Sequence, residues 1–283
     1  MDPRLIGAYL FAVSFDIAMP IALALYVRRR LGVSWRYFWY GALIFFLFQL
    51  ITRVPAVQLL QPLLAVPLSH SPQLLWAWIF ALALTAGIFE EGGRYLGYRY
   101  LIFRRSAGLS TQNSSQSSAL SPQSSSPDAW KKGVMYGLGH GGLESMLLVG
   151  GTVLLTLINA LALTRLDPAT VAALPPDQAA AVLQAQQLFG NLAWWTPLLG
   201  AFERPCSVAV HVAFSVLVLQ CFLRGSLRWL YLAIGAHFLV DFAALVAAPR
   251  VGSVATEGII ALFALSALYL IFRLRPKPEA GHA

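Results

Sequence analysis

Charge is what this chain has least of. Only 11% of its 283 residues are Asp, Glu, Lys or Arg, against about 25% in a soluble globular domain. With 58% hydrophobic residues and a mean hydropathy of +0.67, it cannot cover a water-facing surface, so the bilayer must be part of its solvent. Cysteine is scarce as well. Cys206 and Cys221 fall in one apolar run, too far apart along a helix to bond, and read as small core residues. They carry no information about redox compartment. No cleavable signal peptide is expected, because the first apolar run holds Asp16 and is followed, not preceded, by Arg28, Arg29 and Arg30. No repeat of solenoid period is present. A net charge of +8 raises nucleic acid as a partner, but the cations sit in separate clusters between apolar runs and never make one surface.

What is there is a set of long apolar runs. A helix needs roughly 20 mainly apolar residues to cross about 30 Å of hydrocarbon. Seven runs qualify, at 5–27, 37–60, 74–103, 133–163, 195–223, 227–248 and 254–272. The expected fold is therefore a single all-α, polytopic membrane domain over 1–283. Arg28, Arg29, Arg30 and Arg36 follow the first run, and Arg104, Arg105, Lys131 and Lys132 the third. Arg224 and Arg228 follow the fifth, and Arg273, Arg275 and Lys277 the last. The alternate loops hold only Arg4, Arg53, Arg165 and Arg250. The positive-inside rule then puts the amino terminus outside and the carboxyl terminus in the cytoplasm. Trp194 and Trp195 would mark the outer interface, and Trp35, Trp130 and Trp229 the inner one. Residues 106–127, rich in Ser and Gln, read as a disordered cytoplasmic loop, and 166–191 as an extracytoplasmic loop with a short helix. A bacterial plasma membrane is the expected location.

Against this apolar background the ionisable residues inside spans stand out, and each is a functional hypothesis by default. The third span holds Glu90, Glu91 and Arg94, and the fourth His140 and Glu144. The fifth holds Glu203, Arg204, His211 and Ser215, and the sixth His237 and Asp241. Glu90 and Arg94, His140 and Glu144, His211 and Ser215, and His237 and Asp241 are each four apart, so each pair shares a helix face. Counted from the basic ends at 1.5 Å per residue, Glu90, His140, His211 and His237 lie roughly 13 to 21 Å deep. Four antiparallel helices thus bring one acid and three imidazoles near the midplane. Glu203 and Arg204 lie nearer the outer face, as an internal ion pair at the mouth of a cavity. Asp16 and Glu257 read as structural. Gly133, Gly137 and Gly141 form a small-residue ridge for close helix approach, with backbone near a substrate strand as the functional addition.

This set suits peptide hydrolysis. A carboxylate in a low-dielectric site makes a general base, here Glu90 with Glu91 as partner or relay and Arg94 orienting either one. His140 would hold the water or the oxyanion. Asp241 would fix the His237 tautomer, and His211 with Ser215 would add a further wall. The same residues can bind zinc, with His140, His211 and His237 as ligands and Asp241 or Glu144 behind them. The His-Glu-x-x-His spacing of helical metalloproteases is absent, so metal-free glutamate chemistry stands ahead and no cofactor is required. The expected partner is a membrane-embedded or lipidated peptide. A proton-coupled transporter using the same residues, or a scaffold with a structural polar core, are the alternatives.

The motifs together resemble the YhfC family of intramembrane proteases, relatives of the CAAX prenyl endopeptidases, the bacteriocin-processing proteins and the PrsW proteases. They are Glu-Glu-x-x-Arg at Glu90, Gly-x-Gly-His-Gly-Gly-x-Glu around His140, Glu-Arg followed by His-x-x-x-Ser at His211, and His-x-x-x-Asp at His237. The resemblance covers about 74–248, the expected catalytic core, and implies an all-helical intramembrane endopeptidase. By it, Glu90 activates water with Glu91 paired to it, the family's histidines fall on His140 and His237, and Asp241 stands where relatives carry Asn or Asp. CAAX endopeptidases have one more residue between the Glu pair and the Arg, and PrsW proteins carry Lys where Arg94 stands. The partner of Glu90 is thereby left open among His140, Glu144 and His211, and metal dependence is left open with it.

Overall fold

A computed structural model of the chain describes residues 1–103 and 126–276. The loop expected at 106–127 falls outside the described residues but for its last two, which are helical. Among the described residues, seven helices are long and apolar enough to span a bilayer: α1 (Pro3–Leu31), α2 (Arg36–His70), α3 (Pro72–Ile102), α4 (Pro127–Leu163), α7 (Thr196–Leu223), α8 (Arg228–Val251) and α9 (Ser253–Arg273). Between α4 and α7 run the short α5 (Pro168–Ala172) and α6 (Pro176–Asn191). No strand occurs among the described residues. The protein is a multi-pass membrane protein.

The helix ends follow local chemistry. Asp2 caps α1 by accepting from the Arg4 amide at 2.8 Å, and α1 stops at Gly32, whose φ of +66° favours glycine. Ser71 breaks the chain between α2 and α3 and caps α3 by accepting from the Leu74 amide. The second span was expected to end near 60 but runs on to His70, past Pro62 and Pro67. Arg53, counted among the loop cations, lies inside α2 and cannot vote on orientation.

One helix is central. In α7, 72% of the most apolar stretch is buried, against 17% in α2, α3, α4 and α8. The peripheral helices turn large apolar side chains outward: Leu59, Leu63 and Leu262 are 74%, 75% and 65% exposed. In water that pattern would be an aggregation surface; against lipid it is the expected outer face.

Glycines set how closely the central helices approach. A Cβ on Gly137 would lie 2.6 Å from Val212 Cα, and one on Gly141 2.9 Å from His211 Cβ. The Gly133–Gly137–Gly141 ridge is thus filled by α7 and is a packing device. A second glycine face on α4 does the same toward α2, where a Cβ on Gly139 would collide with the Phe38 backbone. Trp130, expected at the interface, is buried in the core and donates to the Ile271 carbonyl at 3.1 Å; an indole N–H away from water needs such a partner. Cys206 and Cys221 are both free.

Candidate functional site

Five helices converge on Glu90. It sits on α3 and is 4% exposed; Glu91 and Arg94 on the same helix are sealed completely. Arg94 pairs with both carboxylates, closely with Glu91 and at 3.4 Å with Glu90 Oε2. The spacings of three and four along one helix allow this fork. Glu90 is also met from two neighbours. On α4, His140 Nε2 stands 2.9 Å from its Oε2, and on α2, Gln49 donates to its Oε1.

The other two histidines are fixed by partners that also assign their tautomers. An arginine only donates, so His211 Nδ1 accepts from Arg94 Nη2 at 2.6 Å, and its Nε2 carries the proton given to Glu144 Oε2 at 2.5 Å. His237 Nδ1 donates to Glu91 Oε1 at 2.7 Å. Its Nε2 then faces Glu90 Oε1 at 3.7 Å and Asp241 Oδ2 at 3.6 Å. The carboxylate that orients His237 is therefore Glu91, across the helix interface, and not Asp241 one turn along its own helix. Glu144 in turn accepts from Arg204 at 3.2 Å, which also pairs with Glu203.

Glu90, Glu91, Arg94, His140, Glu144, His211, His237 and Asp241 all lie in this one network. Ser215 does not: its Oγ would be 3.0 Å from a Cβ on Gly137, and it packs against α4. Two residues were missed. Gln49 and Arg53 sit four apart on α2 within a stretch of π-helix, Phe46–Arg53, a distortion frequent at functional sites. Arg53 donates to Gln49 Oε1 at 3.3 Å. The pair shows the same polar i, i+4 pattern used elsewhere; Gln49 escaped notice because it carries no charge. Further π stretches cover Tyr98–Ile102 and Glu144–Gly150. Asp16 is fully buried, and neither of its carboxylate oxygens has a protein partner.

Beside Glu90 lies a cavity of about 230 Å³. His211, His237, Glu144, Gln49 and Arg53 are among its walls. From the level of Glu90 its lining continues only toward the end of the bundle that carries α5, α6 and the turns at Ser71 and Gly252, through Glu203, Asp241 and Ala244. The half-exposed walls are at that end. The other end is closed by Tyr98 and Tyr136, whose rings lie 4.8 Å apart. Tyr98 donates to the Ser215 carbonyl at 2.8 Å, and Tyr136 to that of Arg94 at 3.4 Å.

Glu90, His140 and His211 offer three donor atoms within 4.8 Å of one another. Two imidazoles and a carboxylate, buried beside a cavity that admits water, are a ligand set that zinc accepts. By type and spacing the residues fit a divalent ion. The Arg94 guanidinium, in contact with His211 and Glu90, opposes a second cation there.

Known proteins resemble the chain over most of its length. The family model described as YhfC intramembrane metalloprotease matches residues 15–112 and 122–264. The uncharacterized membrane protein YhfC of Bacillus subtilis (strain 168) is 29% identical over 264 residues, covering 91% of each chain. No solved structure matches.

Proposed function

The chain belongs to the YhfC intramembrane metalloprotease family, and from that premise we propose that it hydrolyses a peptide bond of a membrane-embedded or lipidated substrate in the cavity at Glu90. The observation that carries this reading is that Glu90, His211 and His237 line one open-ended cavity of about 230 Å³ inside a lipid-facing bundle, with His140 buried against Glu90. Glu90 acts as general base. A water in the cavity attacks the carbonyl carbon and gives its proton to the Glu90 carboxylate. His237, doubly protonated among Glu90, Glu91 and Asp241, turns its Nε2–H to the oxyanion of the tetrahedral intermediate, and His140 holds the Glu90 carboxylate. Glu90 then passes the proton to the amine nitrogen as the C–N bond breaks. Glu91 and Arg94 do no chemistry; they hold His237 and Glu90 in place. Positive-inside loop charges would put the open end of the cavity on the outer side of the membrane.

A second reading is favoured by the donor spacing of Glu90, His140 and His211. Those three would hold a zinc ion, which when bound supplies Lewis acidity that polarises the scissile carbonyl and acidifies a water. In this reading Glu144, hydrogen-bonded to His211, is the carboxylate left to take a proton. The metal-free form uses Arg94 as the cation that offsets Glu90.

Cleavage of membrane-anchored peptide libraries in liposomes tests both. Wild type should cleave, and Glu90→Gln and His237→Ala should not. Activity that survives chelation, in protein whose mass-spectrometric metal content is below one ion per chain, supports the glutamate mechanism. Loss on chelation with rescue by zinc assigns the metal mechanism. Undiminished cleavage by Glu90→Gln would remove Glu90 from either one.

A further inference from the structure

Three arginines lie inside the bundle away from the helix ends, and their charges are met differently. Arg94 pairs with Glu90 and Glu91, and Arg204 with Glu144 and Glu203. Arg53 has neutral partners only. Its Nη2 donates to the Leu82 carbonyl at 2.6 Å, its Nε to Thr85 Oγ1 at 3.3 Å and its Nη1 to Gln49 Oε1 at 3.3 Å. Among the described residues no carboxylate lies within 4.0 Å of its guanidinium. Glu90 and Asp241 act on it through space, but Glu90 is engaged by Gln49, His140 and Arg94, and Asp241 faces His237.

An unpaired guanidinium at membrane depth is expensive, and such residues mark ligand paths. Arg53 lies on the wall of the Glu90 cavity, toward its open end. Three anchors fix its plane and use three of its five N–H groups, which leaves one N–H on each Nη. That is the fork that grips a carboxylate bidentately. Gln49 ties the same guanidinium to Glu90, so an anion held at Arg53 has a fixed offset from the base.

We propose that Arg53 receives a carboxylate of the substrate, either chain-terminal or on an acidic side chain, and so sets which peptide bond lies at Glu90. The inference rests on the hydrolase reading of the cavity. A helix bridge from α2 to α3 would explain the bonds to Leu82 and Thr85, but it does not require a charge.

Binding separates this from turnover. Full-length protein in nanodiscs is titrated with a labelled apolar hexapeptide in four forms: free acid, amide, amide with one Glu, and amide with one Gln. Empty nanodiscs correct for partition into lipid. Wild type should prefer the free acid over the amide, or the Glu form over the Gln form, by at least about tenfold, as a charge-assisted bond provides. Which ratio exceeds one identifies the source of the carboxylate. In Arg53→Gln that ratio should fall to near one. In Arg53→Lys, which keeps the charge without the fork and serves if the glutamine variant fails to fold, it should fall partway. Equal affinities in wild type, or a ratio unchanged in either variant, would overturn the proposal. Acid preference without cleavage of any library peptide would sink the hydrolase reading and leave Arg53 as an anion site.

Discussion

The two ends of the polar network differ in whether every arginine has a carboxylate partner. At the Tyr98–Tyr136 end, Arg94 and Glu91 are sealed, each charge has an opposite partner, and backbone carbonyls take the tyrosine hydroxyls. At the end toward α5 and α6, Arg53, Glu203 and Asp241 are half-buried around a cavity, and Arg53 has no counter-ion among the described residues. Buried ion pairs add little net stability but fix geometry, and removing one partner is costly. The sealed end is therefore a frame, and the open end is where charge is left for a ligand. Glu90 sits where they meet, held by Arg94 on one side and lining the cavity on the other.

The contrast can be broken by substitution. The largest effect is expected at the junction: Glu90→Gln keeps the shape of the side chain and should lower cleavage by about 10²–10⁴-fold, the range of a general base, with thermal unfolding in detergent little changed. At the sealed end, Arg94→Gln should instead destabilise by about 3–5 kcal/mol, because it strands Glu91 beside Glu90 without their cation; unfolding measured by steric trapping would check this. A variant that folds normally but cannot cleave would move Arg94 from frame to chemistry. Gly137→Val tests the frame without touching a charge. Its added atoms meet the Val212 backbone, and overpacking of this kind costs about 1–3 kcal/mol, visible as a lower unfolding temperature.

The smallest effect belongs outside the membrane. The Asp167 carboxyl, which caps α5, lies below its usual range because it accepts from the Thr170 amide at 2.8 Å. A depressed carboxyl stabilises the folded form fully above its unfolded pKa and loses that contribution as pH falls through the folded value. Acidification should therefore fray α5 among the capped helix ends, and Asp167→Ala should fray α5 alone at neutral pH. Faster amide exchange confined to 168–172 is the expected readout, and a change in cleavage would mean that α5 reaches the cavity mouth.

How far the sequence reaches is clear from single residues. Seven spans followed from run length, since only a helix satisfies its own backbone in lipid. Charges within those runs pointed to Glu90, Glu91, Arg94 and the three histidines, because hydrocarbon makes unneeded charge rare. Gln49 gave no such signal, being neutral, and Arg53 was counted with the loop cations although the second run, 37–60, contains it.

The sequence by itself thus determined the class of fold, which residues carry polar chemistry and, through the motifs, the family. Tertiary structure decided who touches whom. The four-residue spacing of His237 and Asp241 suggested one partner, and packing supplied Glu91 from α3 instead. An i, i+4 rule speaks only within a helix. The offset between two helices is fixed by where their backbones can approach, here at glycines, and that offset brings a carboxylate to an imidazole.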